Sequence, residues 1–534
     1  MTSKPSSHSK PSATISDLLL SPHLDRSEVV RLLKPFGFRD WEKADANLQH
    51  MAGDPRSREL LAPLLPDLLD SVAETADPDQ ALNEWDRYLE VGGNRAQLFS
   101  YFAQVPHILH LVCVLFGNSP AMAQAFIRDP LLVYWVHNEQ VLKSRPTRVW
   151  LKAELERAIE VLTTRDRRLD AIRRFFRREM LRVGARDQVR VATVTESYDA
   201  LSNLADVVIQ GVFEIILEDL QERHGVPREP YSRGKAHDAK FFIVAMGKLG
   251  GRELNYSSDV DLVYLCSSTD GHTDAEDGQT KLSNVVFFHQ LAQELTMALT
   301  TATAEGFLYR VDLRLRPEGD VGPMVFSFPD ALRYYQSRGR DWERLAFLKA
   351  RPIAGDLELG KKFMRKLRPF IMGDFQQHPG VIVQTVCSLR EQIQAKVVRR
   401  GEGPRNVKLS PGGIRDIEWI SQSLQLLHCR EYPRMLGKNT MKALQRLEAV
   451  HLLSAAQGQQ LRQAYVFLRD VEHKLQMVHE LQTHLLPSSI QDVYQCAIRM
   501  GYRRDSPQLT ADHFLTDYRR HTGHVQHLVN TLFP

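Results

Sequence analysis

The chain has 534 residues, too many for one compact core, so three or so structural units are expected. Its 43% hydrophobic and 25% charged residues are typical of a globular protein, and 69 Lys plus Arg against 65 Asp plus Glu leave a formal charge of only +4, a balance that calls for no nucleic-acid partner. Five scattered cysteines, Cys113, Cys266, Cys387, Cys429 and Cys496, form no C-x-x-C and read as buried free thiols in a reducing compartment, and no run of eighteen apolar residues suggests a membrane span, so the chain reads as cytoplasmic.

Residues 1–15, MTSKPSSHSKPSATI, are rich in Ser, Lys and Pro, lack an apolar stretch and are expected to form a disordered tail. Residues 16–233 read as an N-terminal helical region, with apolar residues three and four apart and breaks at Pro and Gly. Short packed helices are expected over 94–116, 120–126 and 130–137, an amphipathic basic helix over 167–183 and one long helix over 197–224, stopped by Gly225 and Pro227. His107 and His110 read as packed histidines rather than metal ligands.

Residues 234–355 read as an α/β core. Within it, 241–246 is an apolar run of strand character that ends at Gly247, Gly250 and Gly251, and 259–265 is a second strand. Residues i and i+2 of a strand face the same side, so Asp259 and Asp261 project together while Val260 and Leu262 turn into the core. Two adjacent carboxylates repel each other, a cost that a divalent cation between them removes. The segment 308–317, LYRVDLRLRP, alternates apolar and polar residues and reads as a strand whose polar face carries Asp312 among Arg310, Arg314 and Arg316. Asp312 can complete a metal site, with the arginines neutralising phosphate oxygens. The turn Gly247-Lys248-Leu249-Gly250-Gly251 lets the backbone approach a phosphate chain, with Lys248, Ser257 and Ser258 as candidate donors. A helix over 282–300, on whose apolar face His289 is packed, and a hairpin-like GDVGPMVFSF complete the core.

Residues 356–534 return to a helical pattern and are expected to form a C-terminal bundle, interrupted by the glycine-rich stretch 401–413. The clearest helices are 414–428 and 461–486; the second mixes Arg469, Glu472 and Lys474 with apolar residues, as bundle packing requires. Arg415, Asp416 and Glu418 either reach back toward the core or form an ordinary charged first turn. The fold class expected is α+β, mostly helical overall.

Glycine, about ten residues, Asp-x-Asp and a distant strand aspartate resemble the nucleotidyltransferase superfamily that includes DNA polymerase beta. MGKLGGRELNYSSDVDL, YRVDLRLRPEGDVGP, GRDWERLAFLKAR and SPGGIRDIEWISQSLQLLH together resemble the bifunctional glutamine synthetase adenylyltransferase and adenylyl-removing enzymes, from about residue 85 to the end. That family's long form holds two nucleotidyltransferase cores and this chain has one; residues 318–351 are closer to the N-terminal, adenylyl-removing half. Many superfamily members have Gly-Ser after the first strand; this chain has Gly247-Lys248, which leaves the phosphate role of Ser257 and Ser258 open. The resemblance implies that Asp259, Asp261 and Asp312 bind Mg²⁺ and that phosphate attacks adenylyl-tyrosine on glutamine synthetase to release ADP. It also implies a PII signal protein as partner. The alternatives are ATP-dependent adenylylation of the same target and a non-catalytic regulatory scaffold, the latter disfavoured by the presence of all three acids.

Overall fold

A computed structural model of the chain describes residues 13–22, 24–230, 236–375, 377–479 and 482–533. Most of the expected N-terminal tail lies outside them, but 13–15 are described, and Thr14 donates from its backbone N–H and its hydroxyl to Asp17 at the start of a short helix. The described residues form two compact units.

One unit comprises residues up to Lys143 with Gly184–Val191 and Tyr494–Arg503. It is built of short helices, several opened by an aspartate: the side chains of Asp40, Asp54 and Asp77 accept the orphan N–H groups of Trp41–Ala52, Pro55–Leu61 and Pro78–Val91. The helical text at 94–116 is broken at Val105 into Arg95–Gln104 and Pro106–Asn118, which meet at 113°. Pro106 lacks an N–H and suits the first position of a new helix, not the interior of an old one. Trp85 is fully buried, with edge-on contacts to Phe116 at 5.2 Å and Phe102 at 5.4 Å.

The other unit comprises Ser144–Val183, Ala192–Val493 and Arg504–Pro534, and the boundaries expected at 233 and 355 both fall inside it. Its larger sheet contains β1 (Phe241–Ala245), β2 (Val260–Cys266), β3 (Val311–Asp312), β4 (Val325–Ser327) and β5 (Arg351–Gly355). β2 is central: it runs antiparallel to β1, which pairs on its other side with β5, and parallel to both β3 and β4. The sequence 308–317 therefore does not continue as one long strand. β3 ends at Asp312, residues 313–324 leave the sheet, and the chain rejoins β2 three residues further along as β4, pairing Tyr264 with Val325. The expected hairpin at GDVGPMVFSF is thus a 3₁₀ turn, Gly319–Val321, followed by a parallel edge strand.

Helix α1 (Val194–His224) and α2 (Asn284–Thr300) pack on one side of the sheet, with Phe213 stacked on Phe241 at 5.8 Å and Phe241 on Phe288 at 5.8 Å. α1 opens with a capping box between Thr193 and Glu196 and ends at Gly225, whose φ of +79° only glycine adopts without strain. α1 is long and apolar enough to cross a membrane, and that apolar surface is buried within this unit. Asp206 in its middle is fully buried and takes both terminal nitrogens of Arg351 on β5, at 2.6 and 2.8 Å, so the charge enters the core already paired. On the other side of the sheet Phe242, Val244, Val263 and Leu265 join a core with Tyr335, Phe347, Phe363 and Trp419, which brings in α3 (Ile414–His428). α4 (Ala455–His479) buries Arg469 and Glu472 completely, so the mixed face read from sequence is interior.

Candidate active site

The site grows out of the register of two parallel strands. Val260 opposes Val311 and Asp261 opposes Asp312, so two carboxylates sit side by side on strands about 4.8 Å apart. Asp259, two residues before Asp261, projects to the same side, while Val260 between them is fully buried. The Val260 N–H donates to the Arg310 carbonyl at 2.9 Å, which locks the edge on which Asp312 lies. From below, the Met246 N–H donates to the Asp261 carbonyl at 2.8 Å, and the chain turns at Gly247 with φ +53°. A Cβ at Gly247 would lie 2.2 Å from Asp261 Oδ2, so glycine here is demanded twice, by the left-handed backbone and by the carboxylate against it.

Each outer aspartate has its own arginine. Arg310 Nε donates to Asp259 Oδ1 at 2.8 Å, and its other end holds the Ser257 carbonyl at 2.6 Å and hydroxyl at 2.9 Å. Arg314 folds back over Asp312, donating from its backbone N–H at 2.9 Å and from its guanidinium at 2.5 to 3.0 Å. Burial works to raise the Asp312 carboxyl, but Arg314 outweighs it and holds Asp312 below the usual carboxylate range. Asp261 has no such clamp: burial, and then the charge of Asp312, push it up to about 6. Asp261 stands beside Asp312 with Asp259 near it, and carboxylates are the donors a hard divalent cation takes; with Asp259 and Asp312 turned onto their arginines, the oxygens of the three do not gather within 4.8 Å of one another in this structure.

The phosphate-side expectations land differently. Gly247–Gly250 is a single helical turn, not an open cradle, and Lys248 points away from solvent onto Glu472 Oε1 at 2.8 Å. Burial drags Lys248 down to about 7, against the pull of Glu472. Burial works to raise Glu472, but the charges of Lys248 and Arg469 outweigh it and hold Glu472 well below the usual carboxylate range; it also takes the Asn255 amide at 2.7 Å and His484 at 2.8 Å. Ser257 and Ser258 are buried, Ser257 serving Arg310 and Ser258 accepting the Asn255 N–H at 3.4 Å. Arg316 is used inside its own loop, on the carbonyls of Leu313, Gly322 and Pro323. It is held there because β3 stops at Asp312, so Arg316 follows the excursion instead of a strand face.

Glu418 does reach the core: Lys349 spans Glu253 at 2.8 Å and Glu418 at 2.6 Å, and Arg415 approaches Glu418 at 3.2 Å. Asp416 instead closes its own helix start, accepting from Gly412 at 2.8 Å and pairing with Arg390 at 3.3 Å. Arg469 donates to Asn255 Oδ1 at 2.6 Å. Lys349, Glu253 and Asn255 carry no signal in the sequence, because the charges they meet stand far along the chain, and Lys408 carries none because the acid whose field it feels, Asp261, is equally distant in sequence; lone charges within apolar text, such as Arg469 and Glu472, were the available hint.

A strand-borne acidic triad in an α+β, mostly helical fold is the construction of a nucleotidyltransferase. Residues 109–366 match the family model described as Glutamate-ammonia ligase adenylyltransferase, and over this segment the chain is similar to that family. Residues 388–533 match a second model, described as GlnD PII-uridylyltransferase. Three similar curated proteins carry the name bifunctional glutamine synthetase adenylyltransferase/adenylyl-removing enzyme. The one from Thioalkalivibrio sulfidiphilus is 36% identical over 389 residues, 73% of this chain and 39% of the relative. That from Hahella chejuensis is 34% identical over 418 residues, 78% and 42%, and that from Nitrosococcus oceani 35% identical over 396 residues, 74% and 40%. The chain spans about two fifths of the length of these relatives.

Proposed function

We propose that the chain removes AMP from an adenylyl-tyrosine of glutamine synthetase by phosphorolysis, in the cytoplasm, using Mg²⁺ and under the control of a PII signal protein. The observation that carries the reading is the register of Asp261 against Asp312 with Asp259 on the same side. The relatives' printed name covers both adenylyl transfer and adenylyl removal, and the resemblance of residues 318–351 to the removing half supports removal. The model matched by residues 388–533 is described by an activity on PII, which supports a PII protein as partner.

In the proposed reaction an oxygen of inorganic phosphate bonds to the α-phosphorus, the bond from that phosphorus to the tyrosine oxygen breaks, and the tyrosine oxygen takes up a proton as ADP leaves. Bound by Asp259, Asp261 and Asp312, a divalent cation supplies Lewis-acid stabilisation of the phosphoryl oxygens. The rest is positioning by the chain. Arg310 and Arg314 hold the two outer carboxylates in fixed orientation. Gly247 brings the backbone turn against Asp261 with no side chain between. The fully buried Val260, Leu262 and Met246 close the floor of the site to water, which keeps the local dielectric low where charge develops.

One observation favours the opposite direction, adenylylation from ATP: the description of the family model over 109–366 names that activity. The two are separated by product. Protein incubated with adenylylated glutamine synthetase, Mg²⁺ and labelled phosphate is expected to yield labelled ADP. Pyrophosphate from ATP and unmodified glutamine synthetase, with no ADP in the first assay, establishes transfer instead; no product in either refutes catalysis.

A further inference from the structure

Each cation that the sequence assigns to phosphate is engaged elsewhere: Lys248 on Glu472, Arg310 on Asp259, Arg314 on Asp312, and Arg316 on carbonyls of its own loop. Two other cations stand beside the acidic triad. Lys408 is fixed through its backbone: its carbonyl accepts the Arg415 N–H at 3.0 Å, and the fully buried Val407 before it accepts from Ile414 at 3.1 Å and donates to His484 at 2.8 Å. His484 in turn lies on Glu472, the partner of Lys248, and Lys248 follows the glycine that abuts Asp261. These links tie the segment that carries Lys408 to the turn beside Asp261, and Lys408 and Arg415 both lie within electrostatic reach of Asp261.

The Lys408 ammonium is half-buried and, among the described residues, has neither a carboxylate within ion-pair distance nor a hydrogen-bond acceptor. Among the described residues the Arg415 guanidinium has only Glu418, which Lys349 already holds more closely. The neighbouring carboxylates are already engaged, Glu472 by Lys248 and His484, and Glu253 and Glu418 by Lys349. Confining an unanswered positive charge in low dielectric is costly, and an anionic ligand relieves it. The start of α3 does not supply the binding itself, because the N–H groups of Gly412, Gly413, Ile414 and Arg415 all donate within the protein.

We infer that Lys408 and Arg415 form the phosphoryl-oxygen-binding wall of the site, taking either inorganic phosphate or the β- and γ-phosphates of a nucleoside triphosphate. This rests on the proposed nucleotidyl-transfer reading and names the residues, supplied from beyond the sheet, that hold its second anion. Arg415 offers a planar fork for two phosphoryl oxygens, and Lys408 a compact point charge for a third.

The test is direct binding to the full chain, by calorimetry with inorganic phosphate, ATP and adenosine, for wild type, Lys408→Met, Arg415→Gln and Lys408→Arg, each checked for native circular dichroism. Both charge-removing variants are expected to weaken phosphate or ATP by roughly tenfold to a hundredfold, the range of a lost charge-assisted hydrogen bond, with adenosine unchanged and Lys408→Arg restoring affinity. Loss of phosphate alone marks an acceptor site, and loss of ATP alone a site for the triphosphate tail. Folded variants that bind both anions like wild type, or a wild-type chain that binds neither, overturn the inference. Turnover is scored separately: anion affinity lost in the variants while wild type makes no product in either direction removes the proposed reaction and leaves the anion site standing.

Discussion

Removing the charge of Asp261 is expected to stabilise the metal-free protein while destroying its activity. Its carboxyl stands at about 6 in the folded chain against an ordinary 3.8, because it is buried and faces Asp312. An acid whose pKa is raised by folding binds its proton more tightly in the native state, so native stability falls as pH climbs from about 4 through about 6. Ionising Asp261 at about pH 7.5 therefore costs the folded state about 3 kcal/mol, and Asp261→Asn, of the same shape, escapes that cost. Protection of the β1–β2 ladder amides, such as Val244 and its partner Val263, against hydrogen exchange reports the local free energy without assuming that the whole chain unfolds in one step. With chelator present, the variant should be better protected by about 2 to 3 kcal/mol at about pH 7.5, and by no more than about 0.5 kcal/mol near about pH 4. Adding Mg²⁺ should raise protection in wild type and leave the variant unmoved, since binding to the native state alone is stabilising. A variant no better protected at neutral pH, or one whose advantage is the same at both pH values, refutes the electrostatic account of the site.

Three further outcomes follow from the same geometry. Gly247→Ala places a methyl 2.2 Å from Asp261 Oδ2; displaced by even about 1 Å, the carboxylate should cost turnover by roughly a hundredfold while thermal stability falls only modestly, as parallel activity and melting measurements will show. Asp312→Asn and Asp259→Asn should each lower turnover by roughly a hundredfold to a thousandfold with circular dichroism unchanged, and wild-type rates from either remove that residue from the site. Glu472→Gln strips a fully buried partner from Lys248 and His484 and should destabilise this unit by about 3 to 5 kcal/mol, read as earlier unfolding in urea; an unshifted transition means that the buried network contributes nothing to stability.

The β1-turn-β2 segment was legible because everything that specifies it is local. Alternation with period two sends Asp259 and Asp261 to one face, a run of buried β-branched residues marks the strands, and Gly247 marks a turn with φ +53°. The same holds for α1, whose cap at Thr193 and stop at Gly225 are written in the chain. Residues 308–317 mislead for a related reason: alternation reports what a strand there would look like, not how far a neighbouring strand is present to pair with it. Partner availability is a tertiary property, and the excursion at 313–324 turned Arg314 onto Asp312 and Arg316 into its own loop. Likewise, no local pattern could tell Lys248, engaged by Glu472 from 224 residues away, from Lys408, whose ammonium has no such partner. Residue type and period determined where the three acids lie along the chain. Arg310 and Arg314 answer the outer two from beside β3, whereas which further cations stand near Asp261 was decided by the fold that brings Lys408 and α3 to the sheet, because a charge is neutralised through space by whatever the fold brings within a few ångströms.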